Sequence, residues 1–441
     1  MRMAARNRQG GVLKVLFAAM VVTCWPGAGS AGSFAGDVFV IGTDAGPPEF
    51  DQLSPSIAFN PDRGEYLVVW HNERTVYPDI QAQRVAAGGG LVGGPFYISG
   101  GPGAQRRHPD VVYNPAHQEF FVVWEELPDG GRSNIHAQRV GPTGLLVGSP
   151  VVLGSGPELA SCVLPAVAYA STSDLYMVVW QRLVEAALSD DIEGQILSGT
   201  ATTVGGNFLV ATGTFTVDHG EPDIAYNRSR NEYLIVWTRT DRNVPVDDVW
   251  GRLITRDGVF LSPEFWIGYH TSDDFYATVV GTPTAPGFGG YYPVWATLYS
   301  PGDTDIYGRV VGWDGLMEPY NEISTSIFDD NHPCVAYDEA LGHFFIAWVR
   351  LRDSLLGYTD IVGFPYLPDS PQDSLQWFVN GFSYPERPAI AAGFEGEFLV
   401  VWDDVPAGSN RDVYGRVWSF HAIFADGFEH GDTNNWSSAV P

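Results

Sequence analysis

Imidazole and carboxylate side chains recur at two fixed places in this 441-residue chain. One place directly follows a recurring Trp, and the other directly precedes a recurring Pro. The chemically active members of the two sets are His71, Glu125 and Asp403 after a Trp, and His108, Glu221 and His332 before a Pro. If such groups converge, they could coordinate a divalent cation or act as acid and base on a sugar. Whether they converge depends on the elements that carry them.

The stretch from Pro109 to Trp124 shows the repeated unit. It predicts a short strand, a turn at Asn114-Pro115, and a second aromatic and aliphatic strand that ends at the Trp. Related copies open at Pro55, Pro165, Pro222, Pro333 and Pro388, and the closing Trp residues are Trp70, Trp124, Trp180, Trp237, Trp295, Trp348 and Trp402. A spacing of 53 to 58 residues is typical of propeller blades and longer than most helical repeats.

Each period predicts four strands. The second is apolar on both faces, as in Leu67-Val68-Val69, which suits a sheet covered on both sides. The seventh repeat lacks a fourth strand, while an unpaired strand-like segment, Asp37–Ile41, precedes the first repeat. We therefore predict an all-β, seven-bladed β-propeller of four-stranded blades, closed by the N-terminal strand, which completes the last blade.

Repeat five departs from this pattern. It lacks the Pro-x-Val-Ala-Tyr strand, and Pro293 lies inside its second strand, where a Pro removes a backbone donor. We expect a blade distorted by sequence drift. The alternative is a blade specialised around Thr282–Gly290.

Both ends of the chain lie outside the repeats. Residues 1–31 have the features of a secretory signal peptide, because four basic residues precede the apolar run Val15–Val22 and Gly29-Ser30-Ala31 offers a cleavage site. The apolar run is too short for a spanning helix. We therefore expect a signal peptide at 1–31, a propeller at 32–420 and a tail at 421–441, in a protein that is secreted or held at the cell surface.

Two stretches resemble known proteins. The core Tyr66–Trp70 (Tyr-Leu-Val-Val-Trp) and its copies resemble the repeats of uncharacterised secreted bacterial propellers. That likeness spans nearly the whole chain after residue 31 and implies a fold without a settled activity. The tail Ile423–Trp436 contains Asp-Gly-Phe-Glu and Gly-Asp-Thr and resembles a short C-terminal segment of secreted bacterial proteins. This second resemblance implies an export or surface-sorting element.

The negative net charge of the chain limits the classes of partner that it is expected to bind. The formal net charge is −28 at pH 7, and cleavage after Ala31 would remove four basic residues and no acidic one. A surface this acidic repels nucleic acid and anionic lipid, so neither is an expected partner. No membrane insertion is expected after signal cleavage. The composition fits a soluble monomer, or a protein that meets cations or salt.

Two repeating polar residues predict structural roles. Six repeats place an Asp before the third strand, and Asn134 replaces it in the other, which a metal ligand would tolerate badly. Asp and Asn side chains at such turns accept backbone N–H bonds. An Arg of the third strand, such as Arg84 or Arg139, recurs in five repeats. One binding site would not need five copies, so we expect this Arg to pack or pair between blades.

Arg106 and Arg107 stand beside His108 and form a local basic spot on an acidic molecule. Such a spot could receive a carboxylate or sulfate group. Cys162 and Cys334 are the cysteines that remain after residue 31. Their compartment would permit a disulfide, but they lie three repeats apart. We expect them on opposite sides of the channel, too distant for a bridge.

Function is expected at the channel mouth. Loops after each Trp and before each blade-opening Pro should share one face, so His71, His108, His332, Glu125, Glu221 and Asp403 could ring it. The favoured interpretation is a non-catalytic binding or scaffold module for a glycan or protein ligand. No cofactor is expected, although a divalent cation is possible. The mouth could equally be a solvated rim that shares no ligand.

Two alternatives stay open: a glycosidase or polysaccharide lyase, and a structural cell-surface protein. The sequence contains no Gly-x-Ser-x-Gly elbow, no His-Glu-x-x-His and no phosphate-binding Gly-rich loop. It also lacks the Ser-x-Asp-x-Gly-x-Thr-Trp turn of sialidases. Paired carboxylates leave no linear motif, so these absences do not exclude a carbohydrate-active enzyme.

Overall fold

The computed structural model describes residues 32–42, 50–73, 77–154, 160–184, 189–268, 272–283, 289–353, 357–367, 375–379, 383–394, 396–405 and 410–420. The expected signal segment 1–31 and tail 421–441 lie outside these residues. The described part is all β, with antiparallel sheets arranged as seven blades in a ring. Within it, no helix has the length and apolarity needed to cross a membrane.

The described part of the chain begins with two short strands that belong to the last blade, β1 (Ser33–Phe34) and β2 (Phe39–Gly42). Blade 1 comprises β3 (Gln52–Asn60), β4 (Glu65–Asn72), β5 (Asp79–Ala86) and β6 (Leu91–Ser99). Blade 2 comprises β7 (Ala104–Asn114), β8 (Glu119–Pro128), β9 (Asn134–Val140) and β10 (Leu146–Val152). Blade 3 comprises β11 (Ala160–Ala170), β12 (Leu175–Val184), β13 (Ser189–Ser198) and β14 (Thr203–Ala211).

Blade 4 comprises β15 (Val217–Asn227), β16 (Glu232–Asp241), β17 (Val244–Thr255) and β18 (Phe265–Gly268). Blade 5 comprises β19 (Asp274–Thr282), β20 (Gly290–Ser300), β21 (Asp303–Gly308), β22 (Val311–Gly312) and β23 (Asn321–Ser324). Blade 6 comprises β24 (Asp329–Asp338), β25 (His343–Asp353), β26 (Tyr358–Tyr366) and β27 (Gln376–Val379). Blade 7 contributes β28 (Glu386–Ala392), β29 (Glu397–Asp404) and β30 (Asp412–Ser419).

The two ends of the described chain close the ring, as the sequence predicts. Strand β2 pairs with β30 through Phe39↔Gly415 and Val40↔Tyr414, and β1 pairs further along β30. The N-terminal segment therefore supplies the outer part of blade 7. The inner strands contact one another in a cycle that ends with β28 against β3. Pairing the ends covers the β30 edge, which would otherwise be free to pair with another chain.

The recurring Trp residues lie between blades. All seven are fully buried, and each of seven hydrophobic clusters joins side chains from two adjacent blades. At the closing interface, Trp70 and Val68 of blade 1 pack with Leu399 and Val401 of blade 7. Replacing one such Trp by Ala costs about 3–5 kcal/mol of stability. The 53- to 58-residue spacing of the Trp residues therefore reflects one buried Trp at each interface between blades.

Blade 5 corrects one expectation and explains another. Its inner strand is present at Asp274–Thr282, so the expectation that repeat five lacks this strand was wrong. Ala277 takes the place of the opening Pro. The third strand is split between Gly308 and Val311, close to Pro293, whose nitrogen has no hydrogen to donate. The distortion expected at this Pro is therefore local, and part of the Thr282–Gly290 loop lies outside the described residues.

The two recurring polar residues have structural partners. Asp79 accepts a hydrogen bond from Gly101 N (3.0 Å) and Asp191 one from Gly213 N (2.8 Å), as expected of turn residues. The third-strand Arg reaches the neighbouring blade in some repeats, since Arg252 Nη1 donates to Val210 O at 2.7 Å and Arg309 Nη1 to Ile267 O at 2.9 Å. Arg139 instead pairs with Glu119 of its own blade at 2.7 Å. Cys162 and Cys334 are both buried and free.

Candidate functional site

Every inner strand carries a one-residue irregularity at the same place. The register of the inner pair shifts there in all seven blades, for example between Arg107 and Asp110. The residue at the irregularity has a φ angle between 47° and 53°, in the left-handed region, although none of these residues is a glycine. The seven residues, called the mouth ring below, are Ser54, His108, Leu164, Glu221, Tyr276, His332 and Arg387.

The left-handed backbone of the mouth ring is costly for residues with a Cβ atom. Residues held in such conformations cost about 1–3 kcal/mol each and cluster at functional sites. Bulges of this kind re-aim a side chain out of the strand's normal alternation. Here all seven residues line one cavity of about 600 Å³ at the mouth of the channel. The ring therefore presents six kinds of side chain, with His at two of its seven positions, to one open space.

One wall of the cavity is aromatic. The rings of Tyr276 and His332 are stacked, with centroids 4.1 Å apart and planes inclined by 22°. Burial, reinforced by the positive charge of Arg387, lowers the pKa of His332. His332 is therefore neutral at pH 7. The pair offers a flat, largely apolar surface within a polar mouth.

Glu221 is the acid of the mouth ring. Thr238 Oγ1 donates to Glu221 Oε2 at 3.2 Å, and the Tyr276 N–H also donates to this carboxylate. Burial raises the pKa of Glu221, and the negative charge of Asp247 adds to the effect. A carboxyl group with a raised pKa is suited to donate a proton near neutral pH.

A second cavity of about 530 Å³ shares three lining residues with the first: Leu164, Glu221 and Tyr276. Its remaining acidic residues are Asp190, Asp218 and Asp247. Burial raises the pKa of Asp190 and of Asp247. Glu221 therefore stands between an open mouth and an acidic side cavity formed by blades 3 to 5.

Three of the eight residues chosen from the sequence line the mouth cavity: His108, Glu221 and His332. His108 Nδ1 lies 3.1 Å from Glu125 Oε2, and Ser133 Oγ donates to Glu125 Oε1 at 3.0 Å. Glu125 therefore orients His108 from below the rim. Because Nδ1 has this partner, Nε2 is the ring nitrogen left for another partner.

The expectation that the residues after each Trp lie in loops was wrong. Strand β4 continues past Trp70 to Asn72, and β29 continues past Trp402 to Asp404. His71 is only 3% exposed and Asp403 is 0% exposed. They lie behind the mouth ring because the second strands are longer than the apolar pattern indicates.

His71 packs against the ring of His108, with centroids 5.7 Å apart. Burial lowers the pKa of His71 well below its ordinary value, and the charges of His108, Arg107 and Arg387 lower it further. His71 is therefore neutral at pH 7 and supports His108.

Asp403 holds two arginines at the edge of the mouth. Its carboxylate forms an ion pair with Arg411 and accepts a hydrogen bond from Ser54 N at 3.0 Å. Arg387 Nη1 lies 3.5 Å from Asp403 Oδ2. Burial raises the pKa of Asp403, while Arg411 and Arg387 oppose that shift.

Arg106 does not form the open basic spot expected beside His108. Its side chain is buried, where Nε donates to Glu126 Oε2 at 3.0 Å and Nη1 to Gly101 O at 2.9 Å. Arg107 is more exposed and pairs with Glu73 at 2.9 Å. Both charges have partners within the protein, because β8 places Glu126 opposite Arg106 and Glu73, directly after β4 of blade 1, reaches Arg107.

Two carboxylates below the ring were not found from the sequence. Asp110 accepts hydrogen bonds from Ser56 Oγ of blade 1 (2.7 Å) and Val167 N of blade 3 (2.9 Å), so it ties three blades together. Asp223 similarly accepts from Thr278 Oγ1 at 3.0 Å. Burial raises the pKa of Asp223 to about 6, despite these bonds. Both are inward-facing residues that follow the opening Pro by one position.

In the described part of the chain, no group of three His, Cys, Asp or Glu side chains is arranged to hold a metal ion. The carboxylates and imidazoles of the mouth have the protein partners given above. The divalent cation therefore stays a prediction of the sequence.

No protein-family model matches the chain, and no curated protein sequence matches it. Solved structures are similar in fold. A protein of unknown function from Dyadobacter fermentans has 12% identity and a TM-score of 0.51, over 87% of this chain and 98% of that one. The α-L-arabinofuranosidase arb93a of Fusarium graminearum has 14% identity and a TM-score of 0.53, with the same coverage. The NanB sialidase of Streptococcus pneumoniae has 7% identity and a TM-score of 0.50, over 71% and 67%. At these identities the likeness shows a shared propeller fold.

Proposed function

We propose that the protein binds a glycan at the channel mouth, as an exported or surface-held binding module. The mouth ring is the observation that carries this proposal. Seven equivalent positions with a left-handed backbone hold six different residue types around one cavity. A purely structural ring would not need this variety, since the seven positions serve the same place in the same repeat.

The chemistry of the ring suits a carbohydrate. The stacked Tyr276 and His332 offer a flat face for the C–H side of a sugar ring, while Glu221, His108 and Arg387 offer hydrogen-bonding groups for hydroxyls. The cavity volume of about 600 Å³ lies within the range of small-ligand sites. The similar solved structures include proteins named as glycosidases, which supports a carbohydrate ligand on a fold of this kind.

Binding of the chain from residue 32 onward to a broad array of glycans and polysaccharides tests the proposal. A specific hit that competes with the free oligosaccharide supports it. A blank array contradicts it and favours a protein ligand or a display role.

Hydrolysis of the same glycan is the second candidate function, and Glu221 is the observation that favours it. Its raised pKa suits a general acid, and Asp247 in the adjoining cavity supplies a second carboxylate. Glycosidases use two such carboxyl groups, one as acid and one as base or nucleophile. The test is to incubate the array hit with the protein and measure new reducing ends.

A further inference from the structure

Building on the proposed glycan-binding function, we infer that the glycan carries a carboxylate and that Arg387 binds it. The ligand class is thereby an acidic oligosaccharide with a uronic-acid-type group, bound with that group toward blade 7.

Arg387 is available to a ligand. Its side chain is 43% exposed and lines the mouth cavity. Within the described residues, its recorded partner is Asp403, at 3.5 Å from Nη1, a separation longer than a good hydrogen bond. A guanidinium has five N–H donors in a planar fork that matches both oxygens of a carboxylate.

Asp403 does not neutralise the positive charge of Arg387, because its main partner is Arg411. The Asp403 carboxylate is fully buried, pairs more closely with Arg411, and accepts the Ser54 N–H. Arg411 also pairs with Glu386 at 3.0 Å. Asp403 therefore approaches the Arg387 guanidinium at Nη1, and the half-exposed side chain of Arg387 lines the cavity.

The positive charge of Arg387 affects the pKa of titratable residues in two other blades of the mouth. It contributes to lowering the pKa of His71 in blade 1 and of His332 in blade 6. Glu221 belongs to blade 4, three blades away from Arg387 in the ring of seven. A carboxylate bound by Arg387 would therefore lie on the blade 7 side of the mouth, away from Glu221.

The negative net charge of the protein also limits how many anionic groups the ligand can carry. The chain has a net charge of −28, so a polyanion would meet repulsion over the rest of the surface. At physiological ionic strength, charges farther apart than about 8 Å are largely screened. A single carboxylate placed beside Arg387 therefore gains from the local cation, while a chain of many anionic groups does not.

The test compares matched oligosaccharides that differ in one terminal residue, a uronic acid or the corresponding neutral hexose. Affinities are measured for the wild type, for Arg387→Gln, for Arg387→Lys, and for Arg256→Gln, a control whose exposed Arg pairs with Asp257. We expect the wild type and the control to bind the acidic member at least tenfold more tightly. Arg387→Gln should remove this preference, and Arg387→Lys should retain part of it.

Three other results would contradict the inference, the proposed function, or both. If the wild type binds the neutral members as tightly as the acidic ones, glycan binding stands and the role of Arg387 is refuted. The wild-type comparison does not depend on how a variant folds. If Arg387→Gln keeps the full preference, another group binds the carboxylate and the inference fails. If no member of any pair binds, the proposed glycan function fails together with it.

Discussion

Tyr276 and His332 stack face to face across the boundary of blades 5 and 6, with ring centroids 4.1 Å apart. Both residues have a left-handed backbone, and Tyr276 precedes an alanine where other blades have a proline. The stack brings together two side chains that are 56 residues apart in the sequence. It gives the mouth ring a flat aromatic surface.

Replacing Tyr276 by Ala should weaken glycan binding about tenfold, equivalent to about 1.4 kcal/mol, because it removes the outer ring of the stack. Tyr276→Phe keeps the ring and should bind within about threefold of wild type. Calorimetric titration with the array hit measures both. Tyr299→Ala is a suitable control, since Tyr299 is 69% exposed and is not among the residues that line the mouth cavity. Equal glycan affinities for Tyr276→Ala and wild type would show that the Tyr276–His332 stack does not contact the glycan.

The Glu221→Gln variant separates binding from hydrolysis. Gln keeps the shape and the hydrogen-bonding oxygen but cannot donate a carboxyl proton. If the protein is a hydrolase, glycan cleavage should fall by about 10²–10⁴-fold while binding persists. Glu339→Gln is the matched control, because burial also raises the pKa of Glu339, which lines a separate cavity of the channel. Wild-type cleavage that survives Glu221→Gln would exclude this acid.

Asp223 should make stability depend on pH in a defined direction. Burial raises its pKa from 3.8 to about 6 in the folded protein, so its ionisation costs more folded than unfolded. The raised pKa of Asp223 therefore stabilises the folded protein below about pH 3.8, and this stabilisation is lost as pH rises through about 6. Neutral Asp223→Asn carries no such cost. Its melting temperature relative to wild type should therefore increase between pH 4 and pH 7.5.

Differential scanning calorimetry of both proteins across that range measures the effect. The comparison with wild type cancels the opposite contribution of the buried histidines, which both proteins share. A difference in melting temperature that stays constant from pH 4 to pH 7.5 would show that Asp223 has an ordinary pKa.

Removing residues 32–42 should expose the outer edge of blade 7. Ile41 is buried against Trp70 in the closing cluster, and β2 covers β30. A chain beginning at residue 43 should melt at least about 5 °C lower, as expected for a loss of a few kcal/mol in a chain of this size. It should also self-associate through the free edge. Thermal melts and light scattering compare it with the chain beginning at residue 32. An unchanged monomer would contradict the closure.

Much of the fold was predictable because packing is periodic. Each Trp70-type residue marks one inter-blade core, and the unpaired segment before Pro55 had to find a partner to close the ring. The lengths of the strands were not predictable. Strands β4 and β29 pass beyond their Trp by two residues, and this extension buries His71 and Asp403.

Three of the seven mouth-ring residues were chosen from the sequence. His108, Glu221 and His332 were found because each precedes a Pro. Tyr276 precedes Ala277 instead, so the same marker was missing, although alignment of Asp274–Val280 with the other inner strands would have placed it. Nothing local in the sequence indicates the left-handed backbone that turns these residues toward the mouth.

The most direct test of the central claim is the affinity of the array hit for the double variant His108→Ala/His332→Ala. The matched control is His117→Ala/His343→Ala, which changes one histidine in the turn after β7 and one at the first residue of β25, neither of them in the lining of the mouth cavity. We predict at least tenfold weaker binding for the mouth variant, wild-type binding for the control, and melting temperatures within about 3 °C of each other. Unchanged binding by the mouth variant would contradict the assignment. A collapse of its stability would show that these histidines hold the fold rather than a ligand.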